Sequence, residues 1–223
     1  MAIPAEANGA SIIDGKPPVV CVFCGAHPGT SPAHLEAARA LAHAFHKHGI
    51  HLVYGGGTVG IMGEVARTLV ALSGPAAVHG VIPEALMRRE QAGQSTIDET
   101  VYGRTTVVKD MHTRKALMAR EVMEGGEGGG FVALSGGYGT LEELMEVTTW
   151  NQLGIHDKGI VVLNVDGYWD GLIMWVNKAV DSGFIAGNNA GIIVEAKEAD
   201  DVVRCLRDYQ NAEGRFNLKW DGR

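Results

Sequence analysis

No apolar run in the 223 residues approaches the length of a membrane-spanning helix. Residues 1–16 carry Glu6 and Asp14 and have neither a basic cluster nor an apolar core, so they do not read as a secretory leader. Basic residues are in the minority, and a net charge of -7 leaves no basic face for a nucleic-acid backbone; any anion site must be small and local. Cysteine is scarce and odd in number. Cys21, Cys24 and Cys205 suit a reducing, cytoplasmic setting better than a disulfide scaffold. Cys21 and Cys24 have C-x-x-C spacing, but they lie in an apolar run that reads as a buried strand, where neighbouring side chains point to opposite faces. With no second C-x-x-C and no H-E-x-x-H, no zinc site is indicated and neither metal nor cofactor is expected. Most of the nine histidines stand singly and read as surface or satisfied core residues.

What the chain does have is a globular balance, 46% hydrophobic and 20% charged, enough for one domain with a buried core. That domain is expected over residues 19–210, between a flexible tail at 1–18 and a second tail at 211–223. Short apolar strands at 19–24, 50–54, 77–82, 131–134, 159–163 and 192–194 alternate with helical segments at 31–47, 59–72, 111–123, 140–153, 169–182 and 199–209. Asp110 is the expected N-cap of the third helix. Residues 83–110 are the least regular part, read as a loop over the site with an edge strand at 105–108. The stretch from Glu124 to Gly130 is too glycine-rich to continue a helix and reads as a loop insertion of about six residues, cheap in a loop. Strand–helix alternation predicts an α/β fold, a Rossmann-like open parallel sheet with helices on both faces, whose ligands bind beyond the strands' carboxyl ends.

Two glycine-rich turns fall at such ends. Gly55-Gly56-Gly57-Thr58-Val59-Gly60 joins a strand to a helix, where free amides and the helix dipole favour an anion; Gly56, Gly57 and Thr58 are candidate contacts. It also matches G-x-G-x-x-G, although it follows the second strand rather than the first and no acidic residue near Val78 would grip a ribose, which weakens a dinucleotide reading. A tight turn without a ligand stays open. The second turn, Ser135-Gly136-Gly137-Tyr138-Gly139-Thr140-Leu141-Glu142-Glu143, repeats the context and adds two carboxylates; a capping box, with Glu143 bonded back to Thr140, is the competing account. Between them, Met111-His112-Thr113-Arg114-Lys115 sets two cations at a helix start, where the dipole disfavours positive charge, which fits either an anion site or a solvated surface pair.

These segments, together with Gly80-Val81-Ile82-Pro83, Trp150-Asn151-Gln152-Leu153-Gly154-Ile155-His156 and Leu163-Asn164-Val165-Asp166-Gly167-Tyr168, give the chain its resemblance to a known family. It resembles the Lonely Guy (LOG) cytokinin riboside 5′-monophosphate phosphoribohydrolases, often mislabelled lysine decarboxylases. The resemblance covers roughly residues 19–206. It implies Arg114 and Glu143 as catalytic residues and nucleotide contacts from Glu90, Lys115, Gly137, Tyr138, Gly139, Thr140, Leu141, Glu142 and Thr149. It also implies a homodimer, for which the helix bearing Trp150 and Leu153 is a plausible face. Ser135 departs from the family motif, which has proline there; the glycines and Thr140 remain.

The expected chemistry is hydrolysis of the N-glycosidic bond of a nucleoside 5′-monophosphate, cytokinin riboside monophosphates and AMP among them, with no metal. The alternative is a nucleotide or molybdopterin-type carrier without turnover. A lysine decarboxylase would need a lysine held as a pyridoxal phosphate Schiff base, and Lys115 beside Arg114 suits phosphate better.

Overall fold

The computed structural model describes residues 15–87, 96–218 and 220. Seven parallel strands form one sheet in the order β4-β3-β2-β1-β5-β6-β7. In chain order they are β1 (Pro18–Phe23), β2 (His51–Tyr54), β3 (Val78–Pro83), β4 (Arg104–Val108), β5 (Gly126–Ala133), β6 (Gly159–Leu163) and β7 (Ile193–Ala196). The helices are α1 (Ala33–Lys47), α2 (Gly60–Ser73), α3 (Glu99–Tyr102), α4 (Met111–Glu124), α5 (Tyr138–Gln152), α6 (Asp170–Asp181) and α7 (Ala199–Arg207).

The apolar alternation along β1 explains the two-sided cover. Val20, Val22 and Cys24 face one core with α1, α2 and α7, while Cys21 and Phe23 face the other with α4 and α5. Cys21 and Cys24 therefore lie on opposite faces of the sheet. The expected alternation is borne out, including the edge strand, which is β4. The irregular stretch also contains the short α3, which the sequence reading missed.

One expectation is corrected. Most of the glycine-rich stretch is strand, the first half of β5, rather than an inserted loop. Its glycines let neighbouring backbones approach: a β-carbon on Gly129 would lie 2.5 Å from the Val19 carbonyl oxygen, and one on Gly130 2.6 Å from that of Gly159. The register also slips there, since Pro18 pairs with Gly126 but Val20 with Gly130, and Gly128 takes φ +81° in the bulge.

Strand order reverses between β1 and β5. The chain leaves β1 toward β2 on one side and returns at β5 on the other, so a crevice opens above their carboxyl ends. The loops after β1 and β5 form its walls.

Candidate active site

A cavity of about 390 Å³ occupies that crevice, within the roughly 300–1,000 Å³ usual for small-molecule sites. Its floor is Arg114 and Glu143, brought together from α4 and α5 and both buried, 6% and 8% exposed. Arg114 is fixed by backbone: its Nε donates to the Val81 carbonyl at 3.1 Å and Nη2 to that of Gly55 at 3.2 Å. Nη1 donates to Met111 Sδ at 3.7 Å and lies 3.9 Å from Glu143 Oε1. A β-carbon at Gly55 would overlap Nη2, so the guanidinium occupies the space that this glycine leaves.

The N-termini of α4, α2 and α5 near the crevice differ in what satisfies their amides. In α4, Asp110 accepts from the Thr113 amide at 2.8 Å, the expected cap; that bond and the Thr113 hydroxyl hold its carboxyl below the ordinary range. In α2, the Gly25 carbonyl accepts from Ile61 and Met62 at 3.1 and 3.3 Å, so the first glycine turn spends these amides on the β1 loop. Gly60, at φ +60°, permits this approach, since a β-carbon there would meet the Ala26 carbonyl oxygen at 2.5 Å. In α5, the N-cap is Gly137 and no side chain caps the turn. Its first amides have no partner within the helix, and Gly136, Gly137, Gly139 and Thr140 around them line the cavity.

The competing capping-box account does not hold. Thr140 lies inside α5 rather than before it, and the Glu143 carboxyl turns to Arg114. Lys115 is not among the residues that line the cavity; its Nζ donates to Glu142 at 2.5 Å and Glu146 at 3.1 Å. Burial works against its charge, but the hydrogen bonds it donates to Glu142 and Glu146 outweigh that and raise its pKa. A lysine kept charged in this way is unsuited to forming a Schiff base.

The remaining expected contacts divide. Gly56 packs on Val81 and Ile82, and Gly57 is buried, both outside the cavity lining, as is Thr58. Tyr138 and Leu141 are exposed on an apolar groove between α5 and α6, lined also by Met145, Trp169 and Trp175. Thr149 is exposed and bonds the Met145 carbonyl within the helix. Glu90 lies outside the described residues. At the far end of α5, Arg215 donates to the Asn151 and His156 carbonyls and Trp220 to that of Leu153, so Arg215 and Trp220 lie against the turn bearing Leu153.

Sequence reading missed His34 and Tyr168 as cavity residues. The Tyr168 hydroxyl bonds the Gly136 carbonyl, and its ring meets His34 edge-on at 5.9 Å. Tyr168 lay in a quoted motif; His34 gave no signal, being one histidine among nine.

A family model described as possible lysine decarboxylase matches residues 62–206. The Arabidopsis thaliana cytokinin riboside 5′-monophosphate phosphoribohydrolase LOG7 is 47% identical over 204 residues, covering 91% of this chain and 88% of that protein. The chain belongs to the LOG family. The bifunctional cytokinin biosynthesis protein of Fusarium pseudograminearum is 54% identical over 213 residues, 94% of this chain but only 44% of that protein, so the LOG-family chain spans less than half of this relative. Among solved structures, the molybdenum cofactor carrier protein of Chlamydomonas reinhardtii aligns with a TM-score of 0.61 at 20% identity, over 86% of this chain and 97% of that one, a likeness of fold alone.

Proposed function

We propose that the chain is a phosphoribohydrolase that cleaves cytokinin riboside 5′-monophosphates, and AMP, to free base and ribose 5-phosphate. The observation that carries this is the buried Arg114–Glu143 pair on the floor of a crevice whose wall is an uncapped helix N-terminus. The α5 amides take the 5′-phosphate, with Gly137, Gly139 and Thr140 around it. Held there, the ribose presents C1′ to Glu143, which orients the attacking water and stabilises the oxocarbenium-like sugar; Arg114 positions the ribose and phosphate. Water's oxygen bonds to C1′ as the C1′–N9 bond breaks, its electron pair leaves with the base, and a water proton ends on the base nitrogen.

Lys115, Tyr138, Leu141, Glu142, Thr149, Gly56, Gly57 and Thr58 support the proposed site from around the cavity, and Glu90 is a proposed substrate contact that lies outside the described residues. Lys115 acts there through Glu142 and Glu146, locking α4 to α5 beneath the reacting pair. We take the working form to be a homodimer that covers the apolar groove of Tyr138, Leu141 and Trp175, and the setting to be cytoplasmic, which the free thiols favour. Among the described residues no helix is long and apolar enough to cross a membrane.

The test is to incubate the protein with AMP and with N6-isopentenyl AMP and to separate the products chromatographically. Appearance of free base with ribose 5-phosphate is expected; tight retention of nucleotide with no base released would favour the carrier.

A further inference from the structure

Ser135 stands where the family motif has proline, and the structure gives its hydroxyl an occupation. Buried at the end of β5, Ser135 Oγ lies 3.0 Å from Nδ1 of His34, on the first turn of α1. The bond ties the β1 and β5 sides of the crevice together at the point where strand order reverses. A second tie runs in parallel, because the Gly25 amide donates to the Ser135 carbonyl at 3.0 Å. The His34 ring is clamped between Tyr168, edge-on, and Gly29, where a β-carbon would meet its Cδ2 at 2.8 Å. His34 and Ser135 both line the cavity, beside Gly136 and Gly137. With Nδ1 engaged, Nε2 has no hydrogen-bond partner among the described residues.

We propose that His34, oriented by Ser135, is a specificity residue that contacts the substrate's 5′-phosphate and separates nucleoside monophosphates from nucleosides. This rests on the phosphoribohydrolase reading and deepens it. The serine hydroxyl can donate or accept, so it tolerates either protonation pattern of the ring. An anion selects the form with hydrogen on Nε2, leaving Nδ1 as acceptor for Ser135 or, in the imidazolium, as a second donor. The α5 amides and His34 then approach the phosphate from opposite walls. Proline at position 135 has no hydroxyl to offer, so this orientation belongs to the serine.

The experiment measures binding of AMP, ribose 5-phosphate and adenosine by calorimetry, and kcat and KM on AMP, for the unaltered protein, His34→Ala, His34→Gln and Ser135→Ala. Loss of a hydrogen bond to a charged group should weaken AMP and ribose 5-phosphate about tenfold to a hundredfold in His34→Ala. Adenosine binding should change less than about twofold, and the loss on AMP should fall on KM rather than kcat. Ser135→Ala should show a smaller loss of the same pattern, and His34→Gln, whose amide can donate from a similar place, should recover part of it. Equal weakening of AMP and adenosine, or unchanged AMP affinity in His34→Ala, overturns the proposal. If the unaltered protein releases no base yet its preference for AMP over adenosine still depends on His34, the hydrolase reading fails and the phosphate contact stands; base release without that dependence leaves the reverse.

Discussion

Gly55 and Arg114 share one space: the guanidinium reaches the Gly55 carbonyl only because no β-carbon stands beside it. The first glycine turn is therefore built around a side chain 59 residues away as much as around a ligand. Gly55→Ala should displace the guanidinium by about an ångström, and misplacement on that scale costs about 10²-fold in rate. The expected outcome is that loss in kcat/KM on AMP with the far-ultraviolet dichroism retained. A variant within threefold of the parent would mean that Arg114 does not need its present seat.

The Arg114–Glu143 pair is asymmetric in its supports. Glu143→Gln keeps shape and leaves Arg114 its two carbonyl partners, so turnover should fall by about 10²–10⁴ while the melting temperature moves little. Arg114→Met strands a buried carboxylate and two carbonyls, and should cost about 3–5 kcal/mol of stability as well as activity. Comparing denaturant midpoints with turnover checks both; equal destabilisation by the two changes would contradict the asymmetry.

The fold was legible because parallel strands buried on both faces leave runs such as Val19-Val20-Cys21-Val22-Phe23, which only an α/β sheet hides. That Arg114 and Glu143 share one cavity was suggested only by motif resemblance, since they come from helices far apart in sequence. Other features were not legible. The β5 glycines read as loop because composition cannot show that Val19 and Gly159 press against them. Which glycine turn keeps its amides free depends on the Gly25 carbonyl, a backbone atom that no side-chain pattern reports. His34 was passed over because its partner, Ser135, is 101 residues away.

The thiols should be inert. Burial first, then the neighbouring Glu143 charge, pushes Cys21 well above the usual thiol range, and burial also raises Cys205. Because Cys21 and Cys24 face opposite cores, mild oxidation should not join them. Titration with a thiol reagent should find well under three reactive groups in the native protein and all three after denaturation. A Cys21–Cys24 disulfide found by mass spectrometry would contradict the strand alternation.

Lys115 makes a pH-dependent contribution whose sign follows from its partners. Glu142 and Glu146 raise its pKa in the folded protein above the ordinary 10.5 of lysine, so the folded state binds the proton more tightly than the unfolded chain. The resulting stability is fully present below about 10.5 and is lost as pH rises through the folded value. Lys115→Met should therefore lower the melting temperature at pH 7 to 10, by the equivalent of about 1 kcal/mol for a pair open to solvent at the glutamates. Above that range the gap from the parent should close. A gap that is constant from pH 7 to 12 would show that Lys115 stabilises by packing its methylenes against α5 rather than through its charge.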